Sequence, residues 1–244
     1  MKNIVLIVIF ILGIVFVQFS QAQTADEVIN KYIDARGGKD KLNAIKSVYM
    51  EGARSMMGNE VPVKITIVNG KLFRTDFEFS GTNYYTIATP TEGWSYFPMR
   101  GTGPEALPAD RLKGMQGSLD IAGALVDYSA KSSKVILDGK ETINGKDCYK
   151  IKLTQPDGKE TTYYIDTKTY LLEETKSMGK MMGKDGKQSD REMITVFSDY
   201  KAVDGVLFPH TIANPGMGQG AGSTTFDKIE LNKTIDESMY KPAK

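Results

Sequence analysis

One cysteine (Cys148), one histidine (His210) and one tryptophan (Trp94) occur in 244 residues, and each scarcity removes a class of protein. A single thiol cannot close an intramolecular disulfide, so stability has to come from burial. A single imidazole leaves no His-x-x-His pattern for zinc, and no glycine-flanked serine elbow accompanies it. His210 therefore reads as structural or exposed. Charge of one sign is lacking too: 31 Lys and Arg stand against 30 Asp and Glu, and removal of Lys2 with a leader would equalise them. That balance excludes the basic surface a nucleic-acid partner requires.

Long apolar runs are also missing. The longest, Ile4 to Val17, is interrupted by Gly13 and is short for the roughly 20 residues of a membrane span. It follows Met1-Lys2-Asn3 and leads into Ser20-Gln21-Ala22, with small residues where a signal peptidase reads. Residues 1–22 are thus expected to be a secretory signal peptide cleaved after Ala22, with 23–244 as one domain. No Cys lies near the cleavage point, so no lipid anchor is expected.

What is plentiful is the turn dipeptide Asx-Gly: Asn69-Gly70, Asp138-Gly139, Asn144-Gly145, Asp157-Gly158, Asp185-Gly186 and Asp204-Gly205. Glycine reaches positive φ without steric cost and Asn or Asp tolerates it, so these pairs predict tight hairpins and an antiparallel sheet. Around them the period is two. Val61, Val63, Ile65 and Ile67 alternate with Pro62, Lys64 and Thr66, and beyond Asn69-Gly70 the residues Phe73, Thr75, Phe77 and Phe79 alternate with Leu72, Arg74, Asp76 and Glu78. Further strands are expected over 84–88, 94–97, from about Lys134, then over 148–153, 161–174, 191–200, 206–213 and 224–231. The stretch 178–188, rich in Gly, Met and Lys, reads as a hairpin projecting into solvent, and 214–223 as a mobile connection.

Helices are expected at three places. Thr24 to Ala35 carries an N-cap Thr24, a capping-box Glu27 and one stripe of Val28, Ile29, Tyr32 and Ile33, ended by Gly37-Gly38. Lys39 to Ile45 reads as a short second helix. Between the two runs of strands, residues 99–110 are too rich in Gly and Pro for a regular element, and 111–126 read as a helix with Leu112, Met115, Leu119, Ala122 and Val126 on one side. That insertion is a candidate lid over the sheet.

Chemistry-bearing constellations are sparse. Glu173-Glu174 and Asp236-Glu237 are sequence neighbours, which strands point to opposite faces, and Asp138-Gly139-Lys140 and Asp157-Gly158-Lys159 lack the acid spacing of a calcium loop. Cys148 shares a face with Lys150 and Lys152, which favours a thiolate, but a small strand filler suits it better. The Met pairs 56–57 and 181–182 are assigned no role. Glu92-Gly93-Trp94-Ser95-Tyr96-Phe97-Pro98 gathers the aromatics just before the insertion, either as a pocket mouth or as ordinary sheet core.

In their order along the chain, Ala35-Arg36-Gly37-Gly38, Ser47-Val48-Tyr49-Met50-Glu51-Gly52, the Glu92–Pro98 stretch, Ser198-Asp199-Tyr200, Val203-Asp204-Gly205-Val206, Phe208-Pro209 and Tyr240-Lys241-Pro242 resemble the outer-membrane lipoprotein-sorting (LolA-like) family over nearly the whole mature chain. The resemblance implies an antiparallel half-open β-barrel whose apolar concave face, covered by helices, carries acyl chains of lipoproteins or other lipids. It implies a periplasmic location, membrane donor and acceptor proteins as partners, no catalytic residue, no metal and no cofactor. The expected lining is Val63, Ile65, Ile67, Phe73, Phe77, Phe79, Trp94 and Tyr96, with Leu112, Met115 and Leu119 on the lid. A departure stands at Asn69-Gly70-Lys71-Leu72-Phe73, where the family's carriers have Arg-Pro before Leu-Phe. Their lid-latching arginine is absent there, and Arg54, in phase with Met50 and Met56, is the substitute considered. The alternative function is an envelope interaction or sensor module binding a protein segment or lipid signal in the same groove.

Overall fold

The computed structural model describes residues 23–56, 58–98, 101, 103–182, 188–215 and 222–242. The expected signal peptide, the Asp185-Gly186 turn and most of the 214–223 connection lie outside these residues.

Helix α1 (Ala25–Ala35) starts on the expected capping box: the Glu27 amide donates to Thr24 Oγ1 at 3.2 Å and the Thr24 amide to Glu27 Oε2 at 3.0 Å. Its stripe of Val28, Ile29, Tyr32 and Ile33 is buried. After Gly37 and Gly38, both at positive φ, comes α2 (Lys39–Ala44). Gly37 is required by proximity as well, since a Cβ there would stand 2.5 Å from the Gly205 carbonyl oxygen.

The strands are β1 (Ser47–Met56), β2 (Asn59–Val68), β3 (Leu72–Phe79), β4 (Thr82–Ala88), β5 (Gly93–Tyr96), β6 (Glu105–Ala106), β7 (Lys134–Ile143), β8 (Lys146–Thr154), β9 (Glu160–Asp166), β10 (Leu172–Met182), β11 (Gln188–Val203), β12 (Val206–Ala213) and β13 (Ser223–Leu231). They form one antiparallel, curled and open sheet in the order β6-β5-β4-β3-β2-β1-β13-β12-β11-β10-β9-β8-β7. Every neighbour pair is a sequence-adjacent hairpin or meander step except β1 with β13, which joins the two ends of the chain in mid-sheet. The two sequence runs of strands are therefore the two wings of one sheet.

Several expectations are corrected. Asp138-Gly139 does not turn a hairpin; it sits inside β7, where the pairing with β8 shifts between Leu137 and Lys140, so the glycine at φ 82° serves a bulge. Asn144-Gly145 and Asp204-Gly205 do turn hairpins, with all four φ values positive as a type I′ turn demands. The segment 161–174 is two strands, broken at 167–171. The long helix over 111–126 is instead a short α3 (Ala109–Met115), a 3₁₀ turn (Gln116–Leu119) and irregular chain. Its glycines are the physical reason: Gly114 and Gly117 weaken propagation, and Gly123 sits at φ 93°, outside helical space. The β10–β11 hairpin projects as expected. Beyond Ser177 and Val196 its strands pair only with each other, and Met178 is exposed.

The main core lies between the inner face of the sheet and a cover. The sheet supplies Val48, Met50, Val63, Tyr149, Ile151, Leu153, Ile165, Leu172, Val206, Phe208, Phe226 and Ile229; α1, Leu42 of α2, Ile45 and residues 121–126 supply the rest.

Candidate functional site

The ladder fixes which side chains share the inner face. Opposite Val63 stand Gly52 on β1 and Phe77 on β3, and opposite Phe77 stands Tyr84 on β4. Ile65 falls in line with Met50, Thr75 and Thr86, and Ile67 with Val48, Phe73 and Ala88. This wing is apolar and aromatic: Val63 is fully buried, Ile65, Ile67 and Phe77 pack partly buried against the core, and Phe73 and Phe79 are half-buried. The Phe77 and Tyr84 rings stack at 4.8 Å, and Phe97 tilts onto Tyr84 at 5.9 Å.

Trp94 and Tyr96 do not join them. They pair with Ile87 and Tyr85, which are in register with Arg74 and Asp76, so they stand on the outer face with the polar residues. Gly93 and Ser95 occupy the inner positions of β5. One-residue parity decides this, and the short β4–β5 connection offers no sequence signal for it. The outer face holds a groove of about 620 Å³ lined by Tyr49, Thr66, Arg74, Asp76 and Tyr85 and bordered by Met239, with Phe77 and Tyr84 also in its lining. Arg74 forks onto Asp76 at 2.7–3.0 Å and also donates to the Met239 carbonyl.

The cover differs from the expected lid. In α3 no residue is buried, Leu112 and Met115 are only half-buried, and Leu119 alone is enclosed, where its carbonyl accepts from the Gly70 amide at 2.8 Å. The residues packed over the core are Ile121, Ala122, Leu125 and Val126, alongside α1. Polar contacts hold this stretch down at its margins. Ile121 N–H donates to Asn69 Oδ1 at 3.2 Å, Lys131 pairs with Asp120 at 2.6 Å, and Asp127 takes Lys39 and the Asn43 amide. Tyr128 donates its hydroxyl proton to Asp26 of α1. Lys113 of α3 pairs with Asp157 at 3.4 Å. That contact links the chain after edge strand β6 to the β8–β9 turn in the other wing.

Two arginines address the latch question. Arg54 lies in phase with Met50 on the inner face and donates Nε–H to Thr224 Oγ1 on β13 at 3.2 Å; burial pushes its guanidinium below its ordinary value. The arginine that reaches the cover is Arg36, just past α1. Its Nη1 donates to the Ala122 carbonyl at 3.0 Å and the Tyr32 hydroxyl at 3.2 Å, and the guanidinium lies over the Phe208 and Tyr32 rings. In the sequence Arg36 is one residue of a motif and carries no role of its own; its position directly before the helix-ending Gly37-Gly38 is the available signal.

Cys148 is buried beside Tyr164 and Ile143, and burial, reinforced by Glu173 and Asp166, pushes its thiol up to about 11. Among the described residues no group of three or more His, Cys, Asp or Glu could hold a metal ion, and no helix is long and apolar enough to cross a membrane. His210 is buried on β12, in phase with Val206 and Phe208 of the core.

No family model matches the chain, and no curated protein does. Among solved structures, a LolA superfamily protein from Nitrosomonas europaea is similar at 12% identity and a TM-score of 0.55, over 90% of this chain and 98% of the other. A putative outer membrane lipoprotein-sorting protein domain from Vibrio parahaemolyticus is similar at 13% identity and a TM-score of 0.51, over 88% and 94%. A DUF1329 family protein from Desulfovibrio piger gives 12% identity and a TM-score of 0.50, over 88% and 96%. At such identities the likeness is one of fold: this chain has the LolA-like open barrel.

Proposed function

We propose that this protein is an exported, non-catalytic carrier that takes an acyl chain of a lipoprotein or another lipid onto the inner face of its sheet and exchanges it between membrane donor and acceptor proteins. The single observation that carries the reading is the inner face of the β1–β4 wing: a largely apolar and aromatic surface interrupted by Thr75 and Thr86, partly buried and covered by a segment held by a few polar contacts rather than woven into the sheet. Val63, Ile65, Ile67, Phe73, Phe77 and Phe79 are the proposed lining. The names of the solved neighbours, a LolA superfamily protein and a lipoprotein-sorting domain, agree with it.

Energetics allow the transfer without chemistry. Each buried CH₂ contributes about 0.8 kcal/mol, so about a dozen of them supply on the order of 10 kcal/mol, enough to offset displacement of a loosely held cover. Native mass spectrometry after mild purification, with displacement of a fluorescent fatty acid, tests the reading. Bound acyl lipid and saturable displacement are expected; a protein that takes up no acyl chain, and instead copurifies with a stoichiometric protein partner, would overturn it.

A further inference from the structure

His210 is the one imidazole in the chain, 7% exposed, on the inner-face phase of β12 with Val206, Phe208 and Ile212. Its Nδ1 lies 2.8 Å from the Phe226 carbonyl oxygen. That carbonyl belongs to an irregular step: Lys228 pairs with Glu51 and Phe226 with Gly52, which leaves Asp227 over as a bulge. The step is built in by Gly52, because a Cβ there would stand 1.9 Å from the Thr225 oxygen. A bulge interrupts the ladder and leaves backbone groups for side chains.

The carbonyl settles the tautomer. It has no proton to give, so Nδ1–H must be the donor, and the neutral ring then carries a bare lone pair at Nε2. That Nε2 is buried and, among the described residues, has no hydrogen-bond partner. A buried acceptor without a donor is a cost that native interiors rarely leave standing. Here it belongs to a side chain in phase with Val206, Phe208 and Ile212, on the face proposed to hold the ligand.

We infer that Nε2 of His210 accepts a hydrogen bond from a hydroxyl group on the acyl ligand, so that the preferred cargo is a hydroxylated acyl chain. The inference rests on the carrier reading above and names its ligand class. A hydroxyl is an uncharged donor that matches an acceptor lone pair and loses little on burial once bonded.

The test compares matched probes in the fluorescent fatty-acid displacement assay: ricinoleate against oleate, and β-hydroxymyristate against myristate. In at least one pair the hydroxylated member is expected to bind about tenfold more tightly, equivalent to about 1.4 kcal/mol. In His210→Phe that preference should vanish while the plain acid keeps its affinity. Equal affinities within both pairs, or a preference that survives His210→Phe, would overturn the inference and leave the carrier intact. If no acid of either pair displaces the probe, the carrier reading falls and this inference with it. Should the variant fail to fold, the unaltered protein still decides, because its single histidine gives an unambiguous ring-nitrogen NMR spectrum. The Nε2 signal should move when the hydroxylated acid of at least one pair is added and not when its plain partner is; an Nε2 signal indifferent to both ricinoleate and β-hydroxymyristate, as a buried water would leave it, counts against the inference.

Discussion

Arg36 ties the middle of the cover to the end of α1 through the Ala122 carbonyl. Arg36→Ala removes the bond to the Ala122 carbonyl and leaves that acceptor buried, a loss of about 1–3 kcal/mol. Denaturant unfolding should register the lost stability, and hydrogen exchange should place it in residues 120–128; exchange unchanged there would show that apolar packing alone holds the segment. Cys148 makes the opposite kind of prediction. With its thiol pushed up to about 11 by burial, a thiol reagent near pH 8 should label the native protein slowly and the unfolded protein at once. Labelling at equal rates would mean that β8 is open to solvent.

Between the residues and the whole lies the cover, an element with little regular structure of its own. Asp127 is held below the usual carboxylate range by hydrogen bonds from Lys39 first and Asn43 next. A carboxyl whose pKa is depressed on folding adds stability above its unfolded value, about 3.9, and loses it as pH falls through the lower folded value. The margin of the cover should accordingly loosen in acid below about pH 4, seen as faster exchange of the 121–128 amides while the β1–β2 and β12–β13 amides stay protected; uniform acceleration would point to global unfolding. The helical period expected over 111–126 put Ala122 and Val126 correctly on the buried side, and both cover the core. The mistake was continuity, since no period reveals that Gly123 takes a positive φ.

At the scale of the molecule, the two faces of the β1–β5 wing make a paired prediction. Phe77→Ala, on the inner face, should weaken acyl-chain uptake several-fold, whereas Trp94→Ala, on the outer face, should leave it within about twofold. Displacement titrations compare them, and equal losses would mean that the ligand does not use the inner face. By itself the sequence determined what depends on neighbours along the chain. Thr24 and Glu27 set the start of α1, Asn144-Gly145 and Asp204-Gly205 set hairpins, and the alternation at Val61–Ile67 and Phe73–Phe79 set an antiparallel wing with one greasy side. These follow from backbone sterics and a two-residue period, which act locally. Tertiary structure alone decided the pairing of β1 with β13, the side on which Trp94 falls, the reach of Arg36 to Ala122, and the seat of His210 beside the Phe226 carbonyl. Each is a meeting of residues distant in sequence, brought about by burial of one common face, and burial is a property of the whole chain.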